Sequence, residues 1–190
     1  SPIVVGERVF VTCYSGYGEA SGGDDARLTR HLVCVDKPSG GILWTQGVKN
    51  NASEDRYQGF ITEHGYASGT PVTDGENVYA FFGKSGVSAY DVHGNNLWTV
   101  NVGTGSSNRR WGSAASLILY GESVIVNASE EARSVISLDK KTGKENWKTE
   151  ADLLELAYGT PRLIKSGDRE LLVLAVPQEV WALNPANGKL

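Results

Sequence analysis

The sequence has no methionine, two cysteines, three histidines and six prolines in 190 residues. Cys13 and Cys34 are far apart, and no zinc-type Cys/His spacing is present. His31, His64 and His93 are scattered. No glycine-rich phosphate loop is found. No apolar run is long enough to span a bilayer, and no long helical pattern appears. Positive charge is also in short supply. Eighteen Lys and Arg against 22 Asp and Glu leave a net charge of −4, which argues against nucleic acid as partner, because nucleic-acid surfaces are usually basic. The chain enters directly on Ser1-Pro2-Ile3 with no initiator Met, so its start says nothing about a leader or a location.

What is present is glycine, at 23 residues, with five Trp and eight Tyr, in a chain long enough to bury a core. One stretch sets the organisation: Val135-Ile136-Ser137-Leu138-Asp139 leads through Gly143 to Trp147. It reads as a strand, a tight turn and a second strand. Asp139 can bond its own backbone at the turn, Gly143 can take a positive φ, and Trp147 offers a large side chain to a neighbour. Related stretches are Leu32–Asp36 through Gly40 to Trp44, Val87–Asp91 through Gly94 to Trp98, and Val180–Asn184 through Gly188. The turn-opening residues at 36, 91, 139 and 184 are 55, 48 and 45 apart. A period of this length means a solenoid, a propeller or an array, with loop insertions where the spacing stretches.

The spacing predicts four units, at about 2–46, 67–100, 112–149 and 158–190. Tyr14 to Thr29 reads as a long surface loop and Ala151 to Leu156 as one helical turn. First strands are expected over Ser68–Val72, Gly112–Leu119 and Gly159–Leu163, with Pro71 at a sheet edge. Their small residues suit a crowded position such as the innermost strand of a propeller blade. Tyr79–Phe82 and Leu171–Val176 are apolar on both faces, as expected of strands covered on both sides. The expected fold is therefore all-β: consecutive four-stranded antiparallel propeller blades, four of them with the last incomplete, in a larger ring of about eight.

The repeat resembles the PQQ-like, or quinoprotein-type, β-propeller repeat, Ala-x-Asp-x-x-x-Gly-x-x-x-Trp. Ala89, Asp91, Gly94 and Trp98 carry it with one turn residue fewer; Ser137, Asp139, Gly143 and Trp147, and Cys34, Asp36, Gly40 and Trp44, carry it elsewhere. The resemblance implies that these tryptophans dock between adjacent blades. It also implies one of two functions, since fold alone does not choose. The first is a non-catalytic binding or protein-interaction scaffold with no cofactor, bacterial and periplasmic or otherwise exported. The second is part of a quinoprotein oxidoreductase holding pyrroloquinoline quinone (PQQ) and Ca²⁺. The dehydrogenases' vicinal Cys-Cys pair has no counterpart in this sequence, and no catalytic residue or metal ligand is assigned.

In a propeller, loops entering the first strands and loops between second and third strands share one face. That gathers His64, Tyr66, Arg109, Arg110, Trp111 and Tyr158, with Lys84 and Gln178. Such a set suits an anionic or sugar-like ligand or a peptide strand at a channel mouth. The competing reading has Trp111 and the tyrosines filling gaps between blades and the arginines pairing with Glu130 or Glu155. Glu130-Glu131 and Asp24-Asp25 could touch a cation but read as exposed loop charge, and His93 reads as solvated. Asn51-Ala52-Ser53 and Asn127-Ala128-Ser129 match the glycosylation acceptor pattern. Aligning the first unit on the second sets Cys13 opposite Leu32 and Cys34 opposite Val11, diagonal on one face and near the limit for a bridge, so both are expected as free thiols. Open blade faces at both ends predict an arc that does not close on itself and that can pair with a second copy.

Overall fold

The computed structural model describes residues 1–18 and 24–190. The described residues form three four-stranded antiparallel sheets and one three-stranded sheet, each an up-and-down meander. The first holds β1 (Ile3–Val5), β2 (Arg8–Ser15), β3 (Thr29–Asp36) and β4 (Ile42–Lys49). The second holds β5 (Val72–Thr73), β6 (Asn77–Phe81), β7 (Val87–Asp91) and β8 (Asn96–Val100). The third holds β9 (Ile118–Tyr120), β10 (Ser123–Ala128), β11 (Ser134–Asp139) and β12 (Glu145–Glu150). The fourth holds β13 (Arg162–Ser166), β14 (Arg169–Val176) and β15 (Glu179–Leu183). The loop expected over Tyr14–Thr29 is shorter than its sequence suggests, because β2 runs to Ser15; its residues 19–23 lie outside the described set.

One device joins each blade to the next. The third strand ends on Asp36, Asp91 or Asp139, or directly before Asn184, and the side chain of that residue accepts backbone N–H bonds from the turn. Asp139 Oδ1, for example, takes those of Lys141 and Thr142 at 3.1 and 2.8 Å. The residue two before the Asp then pairs with the tryptophan: Cys34 with Trp44, Ala89 with Trp98, Ser137 with Trp147. The register shifts by one directly after that pair in all three blades. Such a bulge bends the strand and re-aims a side chain. The indole N–H then donates to a turn carbonyl of the following blade: Trp44 to Val92 (3.2 Å), Trp98 to Lys140 (2.8 Å) and Trp147 to Pro185 (3.0 Å). The indole lies against the turn glycine, where a Cβ on Gly94, Gly143 or Gly188 would come within 2.9, 2.8 and 2.5 Å of the ring. Those glycines have positive φ as well, so the position is closed to a side chain on two counts.

Alternate residues of one strand feed two cores. Val78, Ala80 and Phe82 pack toward blade one with Phe10, Leu32 and Cys34. Tyr79 and Phe81 pack toward blade three with Leu117, Val124 and Val126. A third core joins Ile125 and Val135 to Leu172, Leu174 and Trp181 of blade four. The middle strands of blades two and three, β6, β7, β10 and β11, are therefore buried on both faces, which explains their largely apolar sequences. The run Leu171–Val176 reads the same way in sequence but alternates here between buried and more open residues, because only one of its faces has a neighbour.

The first strands of blades two and three are shorter than the sequence suggests, and that of blade four is displaced to Arg162–Ser166; β5 is an edge strand, and Pro71 directly precedes it. Their small residues act as bridges. Thr70 N–H donates to Ser116 Oγ at 2.9 Å, and Ser116 N–H to Thr160 Oγ1 at 2.9 Å. Asn127, in one of the two glycosylation-like triplets, is buried and donates to the carbonyls of Ala157 (2.6 Å) and Gly159 (2.9 Å) in the next connection. Among the described residues no hydrogen bond joins blade one to blade four. Ile42 (67% exposed) and Val180 (73%) leave apolar surface on the two outer sheets.

The cysteine register needs correction. Arg8 pairs with Asp36, so Cys13 stands opposite His31 and Cys34 opposite Phe10, one residue from expectation. A one-residue slip exchanges faces. The two thiols thus lie on opposite faces, Cys13 exposed and Cys34 buried, and both are free.

Candidate functional site

Three long connections, residues 50–71, 101–117 and 151–161, meet on one face. The first contains a short helical turn, Ile61–His64, preceded by Gly59 at φ +58. That turn holds Phe60 out of the core, at 54% exposure. Arg110, at φ 53, reverses the second connection and presents Trp111. His64 fixes the crossing of the two: its Nε2 faces the Trp111 carbonyl at 2.8 Å and its Nδ1 the Gly65 carbonyl at 2.9 Å.

The outcome is an aromatic stack at the surface. Phe60 and Trp111 have ring centroids 4.6 Å apart; Trp111 and Tyr158 are 5.4 Å apart with planes at 28°. The Arg109 guanidinium sits over the Trp111 ring at 5.8 Å, within cation–π range. Arg109 and Arg110 are exposed and form no ion pair among the described residues. The carboxylates suggested as their partners are held elsewhere. Glu130 Oε1 accepts from Ser107 N–H and Oγ, both at 3.0 Å. Glu155 accepts from Asn108 N–H at 2.8 Å and pairs with Arg133 at 3.2 Å.

Four of the six sequence-derived site residues are thus brought together: His64, Arg109, Trp111 and Tyr158, with Arg110 beside them. Tyr66 sits apart and below. It is buried among Tyr14, Tyr17 and Tyr57, donates its hydroxyl to the Asp55 carbonyl at 2.6 Å, and burial pushes its phenol well above the usual range. Gln178, exposed at φ 69 in the β14–β15 turn, has no bond to this group among the described residues. Lys84 is not at the surface. It is buried, paired with Asp55 at 3.2 Å and bonded to Ser106 Oγ at 2.8 Å. Arg30 lies beside it, paired with Glu54 at 2.7 Å and donating to Ser85 Oγ at 2.9 Å.

The expectation that Glu130-Glu131 is exposed loop charge is also overturned. The pair occupies a tight turn, Ser129–Ala132, and both residues are buried, 5% and 4% exposed. The adjacent chain presses on them: Cβ atoms on Gly103 and Gly105 would lie 2.5 and 2.8 Å from the Glu131 carbonyl oxygen. Asp24-Asp25 is partly structural too, since Asp24 caps Ala26 and Asp25 accepts from Glu54 N–H. His93 is exposed in its turn, as expected. Sequence reading missed Phe60, Ser107 and the Arg30–Glu54 and Lys84–Asp55 pairs. A charged residue such as Arg30, near the start of a strand whose centre, Leu32–Val35, is apolar, was the available signal.

Stacked aromatic rings and unpaired guanidinium groups on an exposed face can hold a ligand by stacking and charge; no nucleophile with an adjacent base stands among them. The cysteines lie on opposite faces of one sheet, and among the described residues no group of three His, Cys, Asp or Glu is placed to hold a metal ion. The residues present therefore do not reproduce the vicinal cysteine pair that the dehydrogenase resemblance implies.

The sheets, their tryptophan seams and their order define a run of propeller blades of the PQQ-like type. Residues 29–190 match the family model described as "Outer membrane protein assembly factor BamB", and the chain belongs to that family. No curated protein matches it. Among solved structures it is similar to BamB from Moraxella catarrhalis, with a TM-score of 0.60 at 16% identity, covering 97% of this chain and 45% of that one. It is similar to a europium-containing methanol dehydrogenase, with a TM-score of 0.61 at 13% identity, covering 99% and 40%. It is also similar to the quinohemoprotein alcohol dehydrogenase of Comamonas testosteroni, with a TM-score of 0.63 at 12% identity, covering 100% and 33%. The chain thus spans less than half the length of each, and the likeness is one of fold.

Proposed function

We propose that this chain is a non-catalytic binding scaffold whose docking surface is the patch formed by Phe60, Arg109, Arg110, Trp111 and Tyr158. The observation that carries the reading is the Phe60–Trp111–Tyr158 stack with the Arg109 guanidinium across it. Cationic and aromatic groups side by side suit an acidic protein segment with an apolar or aromatic residue, or a small anionic ligand. A chain with net charge −4 that keeps two arginines at one spot without an ion pair among the described residues favours such partners over nucleic acid. His64 and Tyr66 act beneath the patch by fixing its backbone. The family's description supports an exported, periplasmic setting, which fractionation of cells making the full-length product tests.

The direct test is titration of the protein with acidic peptides bearing one aromatic residue, followed by calorimetry. Salt-sensitive binding that drops about tenfold or more in Arg109→Ala and in Trp111→Ala is expected. Equal affinity for neutral peptides, or unchanged affinity in both variants, overturns the reading. The apolar end sheets favour self-association into a two-fold dimer, read by light scattering over a concentration series. The oxidoreductase reading, kept because the similar folds include PQQ-type dehydrogenases, predicts absorbance changes or dye reduction on adding PQQ and Ca²⁺.

A further inference from the structure

Beneath the docking patch lie six buried or nearly buried ionisable side chains whose charges do not balance. Arg30 answers Glu54 and Lys84 answers Asp55. Glu130 and Glu131 are left over. Each has one oxygen engaged, Glu130 Oε1 by Ser107 and Glu131 Oε1 by the Ser113 hydroxyl. The second oxygen of each is buried with no partner among the described residues. Both residues line a cavity of about 20 Å³ together with Arg30 and Lys84, room for roughly one water. Two adjacent buried carboxylates with unspent oxygens are costly, and such groups take up a proton or a cation. The two cationic side chains already at the cavity disfavour a further cation. We propose that Glu130 and Glu131 form a proton-binding pair that locks the 101–113 connection against blade three and so tunes the docking patch above it.

The groups facing the pair come from every neighbouring element. Gly83 and Lys84 approach from the turn after β6, Arg30 from β3, Glu54, Asp55 and Tyr66 from the first connection, Ser107, Gly112 and Ser113 from the second, and Tyr158 from the third. Burial pushes the Glu131 carboxyl up to about 7, with the Glu130 charge adding to it and the Ser113 hydroxyl and Arg30 opposing. Burial raises Glu130 as well, against the bonds from Ser107. The path to the surface is short. The Ser107 hydroxyl lies between Glu130 Oε1 (3.0 Å) and the Tyr158 hydroxyl (3.2 Å), and Tyr158 stacks on Trp111. The Glu131 carbonyl accepts from Gly105 N–H at 2.8 Å, so charging the pair acts on the segment that presents Arg109 to Trp111.

The sign follows from linkage. A carboxyl at 4.5 when unfolded and at about 7 when folded binds more protons in the folded state between those values. The contribution of this carboxyl to stability is full below 4.5 and is lost as pH rises through about 7. Asp74, Asp91 and Asp139, whose carboxyls are held below their usual value, act only at the acid end and with opposite sign.

The test is denaturant unfolding from pH 5 to 8 for the wild type and Glu131→Gln, which keeps the shape and removes the charge. The wild-type unfolding constant is expected to rise with pH by up to about tenfold per unit, and the variant's to rise less; the difference between the two profiles isolates Glu131. Parallel profiles overturn the proposal. If the variant does not fold, infrared spectroscopy of the intact wild type decides: a protonated-carboxyl band that vanishes near pH 7 supports the pair, and its absence overturns it. Stabilisation by CaCl₂ or MgCl₂ at pH 8 assigns the site to a metal and also overturns it. Tuning of the patch rests on the proposed function and predicts weaker acidic-peptide binding at pH 8 than at pH 6, lost in Glu131→Gln. No peptide binding at any pH, with the unfolding profiles as expected, fails the docking reading alone; pH-independent binding overturns the tuning.

Discussion

The seams between blades and the connections above them bury comparable side chains by opposite means. At the seams, one indole, one glycine and one carbonyl repeat three times with the same bulge beside them. Where the connections cross the strand ends nothing repeats: Arg30, Lys84, Glu54, Asp55, Glu130 and Glu131 are buried once each, through individual bonds such as those that Arg30 donates to Ser85, Lys84 donates to Ser106 and Glu130 accepts from Ser107. Apolar burial is non-directional, so it tolerates duplication. Buried charge needs its partners placed one by one, and here the connections supply them: Glu54 and Asp55 from the first, Ser106 and Ser107 from the second. Stability rests mainly on the seams, whereas the connections supply a surface that can differ between members of a scaffold family.

Two large substitutions probe this contrast from either side. Trp98→Ala empties a seam and should cost about 3–5 kcal/mol in denaturant unfolding; Trp111→Ala, at the surface stack, should cost much less. Equal losses would move Trp111 into the structural class. Lys84→Ala leaves Asp55 buried without its counter-ion and should also cost about 3–5 kcal/mol. A loss near zero would show that the charge pairs only decorate the connections.

A finer comparison lies within the seam itself. Gly143→Ala meets both a positive φ and the Trp98 ring, so a loss of about 1–3 kcal/mol is expected. Gly40 has the same backbone, at φ +71, with nothing within 4 Å, and its Ala variant should lose only about 1 kcal/mol. Similar losses at both would mean that backbone strain, not indole contact, selects the glycine. The smallest effect concerns the thiols. Cys13 should react with a thiol reagent in the folded protein and Cys34 only after unfolding, while two fast thiols in the native state would break the register of Arg8 with Asp36.

The seams were legible because their chemistry is local. Asp139, Gly143 and Trp147 lie within nine residues, and each has a conformational reason for its place. The connections were legible only as composition. His64, Arg109, Trp111 and Tyr158 could be grouped by propeller geometry, yet nothing local distinguishes Glu130-Glu131 from a solvated acidic turn, or Lys84 from a turn lysine. Their burial depends on residues up to about a hundred positions away. The cysteine register failed for a related reason: aligning units fixes strand order, but the pairing of Arg8 with Asp36 is set where the turn closes.

By itself the sequence determined that this protein is a run of four-stranded blades joined through Trp44, Trp98 and Trp147, because strand periodicity and turn chemistry act over a few residues. Only the tertiary structure decided which polar residues go inside. Whether Glu131 meets water or Ser113, and whether Arg109 meets a carboxylate or the face of Trp111, depends on how three separate connections cross, and no short stretch of chain carries that information.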